Sequence, residues 1–275
     1  MDALIVVFLC ILGACVGSFL NVLVLRFGFR ERPSPRSRCA SCTTTLSPRD
    51  LIPVVSYIML RARCRTCGSR LSAQYPIVEL LTAGIFLLTY AVLRPETPFD
   101  YLSFVAYLGF WSALVALIAY DVRHTLIPLP FVYALWVFAV VHTAVSALEL
   151  QSTGPLVDAA FGMVCVGGFF AALSILTRGR GMGIGDAYVG GAMGLMLGSA
   201  SGIVAAILAV WIGAVWGLVL IVVAHSLRVF HRTYGLRRVT LKTEIPFAPF
   251  LALGAVIAFA TGLMPLDLAF WVYPF

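Results

Sequence analysis

Charge is what this sequence has least of. Only 11% of its 275 residues are Asp, Glu, Lys or Arg, against roughly 25% in an ordinary soluble domain, which excludes a conventional water-soluble globule. A basic start is missing as well. Asp2 stands before the first apolar run and no small-residue cleavage site follows it, so the run reads as a retained span and not as a cleaved secretion signal. His142, His225 and His231 form no ligand-spaced cluster. There is no detectable repeat, inverted or otherwise, and no nucleotide-binding fingerprint of the soluble type.

What is there is apolar: 61% of the chain. Runs near 3–25, 76–93, 101–120, 129–148, 156–177 and 247–265 approach or reach the roughly 20 residues a helix needs to cross a bilayer, and 184–225 holds two more. The expected fold is all-α, a polytopic bundle of about eight transmembrane helices carrying one small polar domain. The net charge of +7 is concentrated between about Arg26 and Arg70 and between about Arg228 and Lys242. Basic loops beside apolar spans mark the cytoplasmic side, so nucleic acid is not the expected partner and the lipid bilayer is. The loop with Glu96 and Asp100, and the next with Glu149 and Asp158, then fall outside, together with both termini. This threading closes only if 184–225 crosses twice. Its first half is rich in glycine (Gly190, Gly191, Gly194, Gly198), which suits close packing between helices.

The polar domain, residues 28–75, is too short to be held by an apolar core alone. Cys39-Ala-Ser-Cys42 and Cys64-Arg-Thr-Cys67, 21 residues apart, supply the staple. Two CxxC knuckles at that spacing suit one tetrahedral zinc ion, and four thiolates leave no open position for water, so the role is structural. A pair of disulfides is the competing reading; a cytoplasmic location favours reduced thiols. Cys10, Cys15 and Cys165 lie in apolar runs and take no chemistry.

Two carboxylates carry the chemical case. Asp121 opens Asp121-Val-Arg-His124-Thr-Leu-Ile-Pro128, and Asp186, 65 residues later, closes Gly181-Met-Gly183-Ile-Gly185-Asp186. Both fall at cytoplasmic ends of spans, where an ionisable residue is costly and therefore a candidate for function. Two neighbouring carboxylates hold one proton between them, so one takes a proton from water while the other polarises a scissile carbonyl. Gly183 and Gly185 would let an extended substrate chain lie close to Asp186. Interface ion pairing with Arg123, His124, Arg178 or Arg180 is the plainer alternative. His124 either tunes Asp121 or sits among lipid headgroups, and Glu79 either caps its helix or serves a site. A proton-coupled transporter with Asp121 and Asp186 as relay, or a non-enzymatic assembly scaffold, are the rival classes.

Taken in order, Gly17-Ser-Phe-Leu-Asn21-Val22 leading to Arg26, the double CxxC segment, Pro53-Val-Val-Ser-Tyr57, Tyr75-Pro-Ile-Val-Glu79, the Asp121 and Asp186 motifs and Ile245-Pro-Phe-Ala-Pro-Phe250 resemble the bacterial prepilin peptidases, or type IV leader peptidases. The resemblance spans nearly the whole chain. It implies an inner-membrane enzyme with the domain order 1–27 first span, 28–75 zinc domain and 76–275 peptidase bundle. Such an enzyme cleaves after a glycine ending a basic leader of prepilin-like substrates, then methylates the new amine with S-adenosylmethionine. It also implies catalytic roles for Asp121 and Asp186 and a place for Gly17 and the cysteine domain in methyl transfer. Tyr188 stands where the family commonly has lysine, and Ala248 where it commonly has glycine.

Overall fold

The computed structural model of the chain describes residues 3–27, 36–179, 182–230 and 246–265. Its elements are α1 (Ala3–Arg26), a 3-10 turn (Pro48–Leu51), α2 (Val55–Met59), α3 (Gln74–Leu93), α4 (Pro98–His124), α5 (Leu129–Glu149), α6 (Gly154–Leu176), α7 (Ile184–Phe230) and α8 (Ala248–Thr261). Among the described residues there are only two isolated bridges and no strand. The chain divides into two compact units, 1–123 with 128–145, and 124–127 with 146–275. The basic stretch after Phe230 and the C-terminal ten residues lie outside the described residues.

In the first unit, α1 and α3 meet backbone to backbone. Gly13 and Gly17 lie four apart on one face of α1, and a Cβ added to them would stand 2.6 Å from Ala83 Cα and 2.7 Å from Glu79 Cα. Only small residues permit that approach, the usual device of packed membrane helices. The interior of the unit is filled by Phe110, Trp111, Leu114 and Leu117 of α4 with Leu135 of α5, while Leu4, Val7, Phe8 and Ile11 of α1 point outward uncovered. An apolar exterior of this kind suits lipid, not water. Breaks between spans have local causes. α3 stops where Arg94 turns left-handed (φ 44°) and Pro95 follows, and α4 starts at Pro98 with Asp100 accepting the N–H groups of Thr97 (2.9 Å) and Glu96 (3.2 Å). α4 also runs further than its apolar stretch implies: Asp121 lies inside its last turn and does not follow it.

The second unit is built on a reversal. A straight α7 would be about 70 Å long at 1.5 Å per residue, more than twice the roughly 30 Å hydrocarbon core. Gly198 interrupts it with φ 76° and ψ −178°, a conformation open to glycine alone. A Cβ on Gly202 would lie 3.1 Å from Gly194 Cα, whereas eight helical residues would separate the two by about 12 Å. The chain therefore folds back at Gly198, which gives 184–225 the two limbs that its charge pattern calls for. Asp158, at the start of α6, caps the second limb by accepting Ser199 N–H (3.2 Å) and the Ser199 hydroxyl. Glycines again set the packing: Gly162 on Gly194, Gly167 on Gly191, and Gly254 of α8 against the Ala205 backbone. α8, with 14 residues, covers only about 21 Å.

Candidate functional site

The two CxxC segments fold into matching knuckles. Cys39 N–H donates to Thr44 O (3.0 Å) and Thr43 N–H to Cys39 O (2.9 Å); Cys64 N–H donates to Ser69 O (2.8 Å) and Gly68 N–H to Cys64 O (3.0 Å). Thr43 and Gly68 take the same left-handed position in the two turns (φ 56° and 68°). The result brings the four sulfurs of Cys39, Cys42, Cys64 and Cys67 within 4.8 Å of one another. Cys39 and Cys67 sulfurs are 3.9 Å apart, too far for a disulfide and close to the roughly 3.8 Å edge of a tetrahedron with ~2.3 Å metal–sulfur bonds. All four are free thiols. Backbone N–H groups of Cys42 and Ser41, then the Ser69 hydroxyl, draw the Cys39 thiol down to about 6, and Ser69 lowers Cys67 likewise, while burial and the neighbouring Cys39 and Cys67 sulfurs push the Cys64 thiol up. Thiolate is the form a metal binds, so the donor set fits such an ion. Nearby, the Ser47 hydroxyl (2.7 Å) and Arg65 guanidinium (2.8 Å) hold the Asp50 carboxyl below its usual range.

Behind this domain sits a polar cluster whose pairing the sequence does not reveal. Glu79 lies in the second turn of α3, buried, and does not cap the helix: its carboxylate accepts the Val54 N–H at 2.7 Å and bonds the Ser18 side chain. Val54 has φ 60° and ψ −51°, with Val55 N–H folded back to Pro53 O. That is a γ-turn centred on a β-branched residue, a costly geometry that needs an outside partner. Asn21 donates to Gly17 O and Tyr75 O, both at 3.2 Å, while its buried Oδ1 meets no donor. Gly17 packs against Glu79, whose Cα would stand 2.7 Å from an added Cβ. The hints were Pro53-Val-Val and Glu79, which stand 25 residues apart in sequence and gave no sign of meeting.

Asp121 and Asp186 are both buried, at 4% and 6% exposure. Their settings differ. Asp121 occupies the C-terminal turn of α4, where the helix dipole is negative, and Asp186 the first turn of α7, where it is positive. Asp186 N–H donates to Gly183 O at 3.2 Å. The space beside Gly185 is taken by Ile127 of the same chain, whose Cδ1 would be 2.8 Å from an added Cβ; a Cβ on Gly183 would make only ordinary contacts, with Asp186 Oδ2 and Gly185 N at 3.9 Å. Of the two glycines, only Gly183 thus leaves room for another chain. His124 is exposed at the end of α4, Tyr188 is exposed two residues after Asp186, and Ala248 is fully buried at the start of α8.

Comparison with known proteins bears on both regions. Residues 11–93 match the bacterial peptidase A24 N-terminal domain, and 108–218 match the type IV leader peptidase family. Over 270 residues the chain is 32% identical to the type 4 prepilin-like proteins leader peptide-processing enzyme of Escherichia coli, covering 89% of each chain. It is 29% identical over 255 residues to the prepilin leader peptidase/N-methyltransferase of Bacillus subtilis, covering 92% of this chain and 93% of that one. The protein of the same name from Aeromonas hydrophila is 32% identical over 276 residues, covering 90% and 87%. No solved structure matches.

Proposed function

Since the chain belongs to the type IV leader peptidase family, we propose that it is a membrane-embedded aspartyl peptidase that removes the leader of prepilin-like proteins and N-methylates the product. The observation that carries the peptidase half is the pair of buried carboxylates at helix ends. Chain connectivity adds support: Ile127, six residues after Asp121, packs on Gly185, immediately before Asp186. Membership of this family leaves the proton-relay transporter without support.

In this reading Asp121 and Asp186 share one proton at a common site. The charged member takes a proton from water as the water oxygen attacks the carbonyl carbon of the leader's last glycine. The protonated member gives its proton to the carbonyl oxygen, and collapse of the resulting diol passes a proton to the departing amine. Gly183 leaves room for the substrate backbone, Gly185 seats Ile127, and His124 lines the rim.

The four cysteines hold zinc as a structural ion, in a domain spanning 28–75 between a first span (1–27) and the peptidase bundle (76–275). Both aspartates and this domain face the cytoplasm, with the two termini outside. S-adenosylmethionine, the implied methyl donor, needs polar partners for its ribose and amino-acid end. A groove lined by Cys165, Phe169, Ile207 and Trp211 is apolar, and a second, between α3 and α4, is aliphatic except at its mouth; neither fits it. Methyl transfer therefore rests on the relatives, with Gly17 and the cysteine domain assigned to it by resemblance. Purified protein in detergent, given a synthetic prepilin segment, should release the leader as a discrete peptide ending in glycine. Absence of cleavage across several such segments would remove the proposal.

A further inference from the structure

α3 and α4 present matching stripes to one another's edge. Ile77, Val78 and Leu81 recur at helical spacing on α3, and Val115, Ile118, Ala119 and Val122 do so on α4. Between them runs a groove of about 370 Å³, with the small Ala119 among its lining residues. Ile77, Leu81 and Val122 are exposed, so the groove opens sideways toward lipid. Its mouth is polar. There Arg123, in the last turn of α4, donates to Gln74 Oε1 at 3.3 Å, while the buried Nε2 of Gln74 has no acceptor. Arg123 itself is exposed.

An aliphatic trough ending in a guanidinium and an unmet amide N–H has the chemistry of an anionic amphiphile. At ~30 Å³ per water-sized group, the groove holds about a dozen such groups, most of one acyl chain. A substrate helix, about 10 Å across and rising about 1.5 Å per residue, would use up the groove's volume in roughly three residues. A soluble anion would leave the trough itself unfilled. We propose that this groove is a binding site for an anionic glycerophospholipid, with its phosphate between Arg123 and Gln74 Nε2–H and one acyl chain along α3 and α4.

The site does not depend on the peptidase reading, because its test reads lipid retention alone. Native mass spectrometry of the full-length, detergent-purified protein would compare added palmitoyl-oleoyl phosphatidylglycerol with phosphatidylcholine of the same chains. Wild type should retain the anionic lipid about five-fold better, the usual weight of one basic residue against an anionic headgroup. Arg123→Gln should erase that preference while still retaining lipid. Ala119→Phe should reduce retention of both lipids; if it elutes aggregated, Ala119→Val serves as the smaller filler. Equal retention of both lipids by wild type, or an unchanged preference in Arg123→Gln, would overturn the proposal. So would displacement by millimolar glycerol phosphate, which would make it a headgroup site only, or by an apolar prepilin segment, which would make it a substrate-docking surface.

Discussion

Replacing Gly198 with alanine tests whether α7 is one helix or two. At φ 76° and ψ −178° the residue occupies a region closed to L side chains, and its missing Cβ would fall on the Asp158 carboxylate. Holding alanine there costs about 1–3 kcal/mol in backbone strain. Displacing Asp158 forfeits its bonds to the Ser199 N–H and hydroxyl, worth about 1.5–3 kcal/mol for a charged acceptor. The sum is roughly 3–5 kcal/mol, which corresponds to a drop in melting temperature of about 10 °C for a unit of this size. Size-exclusion of heated, detergent-solubilised protein would measure it. Asp158→Asn, which keeps the shape but not the charge, should lose less than half as much. Alanine is a better helix former than glycine by about 1 kcal/mol, so a stabilised Gly198→Ala would mean that the chain runs straight through position 198.

Purified protein should contain one zinc per chain, and Cys39→Ser or Cys64→Ser should lose it and expose 36–74 to protease, because metal binding energy is largely folding energy here; zinc-free wild type with a resistant domain would contradict this. Val54→Gly should relieve the strained turn by about 1 kcal/mol and slow proteolysis near 52–60, since the N–H that Glu79 accepts is kept. Glu79→Leu should accelerate the same cleavage by leaving that N–H unmet.

The parts legible in the sequence are those whose signal is local. CxxC spacing holds because two residues between cysteines are enough to turn both sulfurs one way, and the spans hold because hydrophobic length is a direct measure of bilayer thickness. Even the presence of two limbs in 184–225 followed from charge bookkeeping. Its turning point did not, since it depends on Asp158, 41 residues away. Glu79 was likewise ambiguous because its partner, Val54 N–H, comes from a turn whose geometry no propensity favours. Asp121 sits within α4 because a helix end is set by Thr125 turning left-handed (φ 51°) and by the prolines beyond, not by where apolar residues stop. Gly185, expected to make room for substrate, makes room for Ile127.

The most direct test of the two-aspartate peptidase is leader cleavage by Asp121→Asn and Asp186→Asn. Asparagine keeps the shape of aspartate and cannot hold the shared proton or act as base. Each single variant should be inactive against a prepilin segment, with zinc content and membrane insertion unchanged, and the double variant should look like either one, because groups acting as one catalytic unit are strongly non-additive. Near-normal cleavage by either single variant would contradict the mechanism.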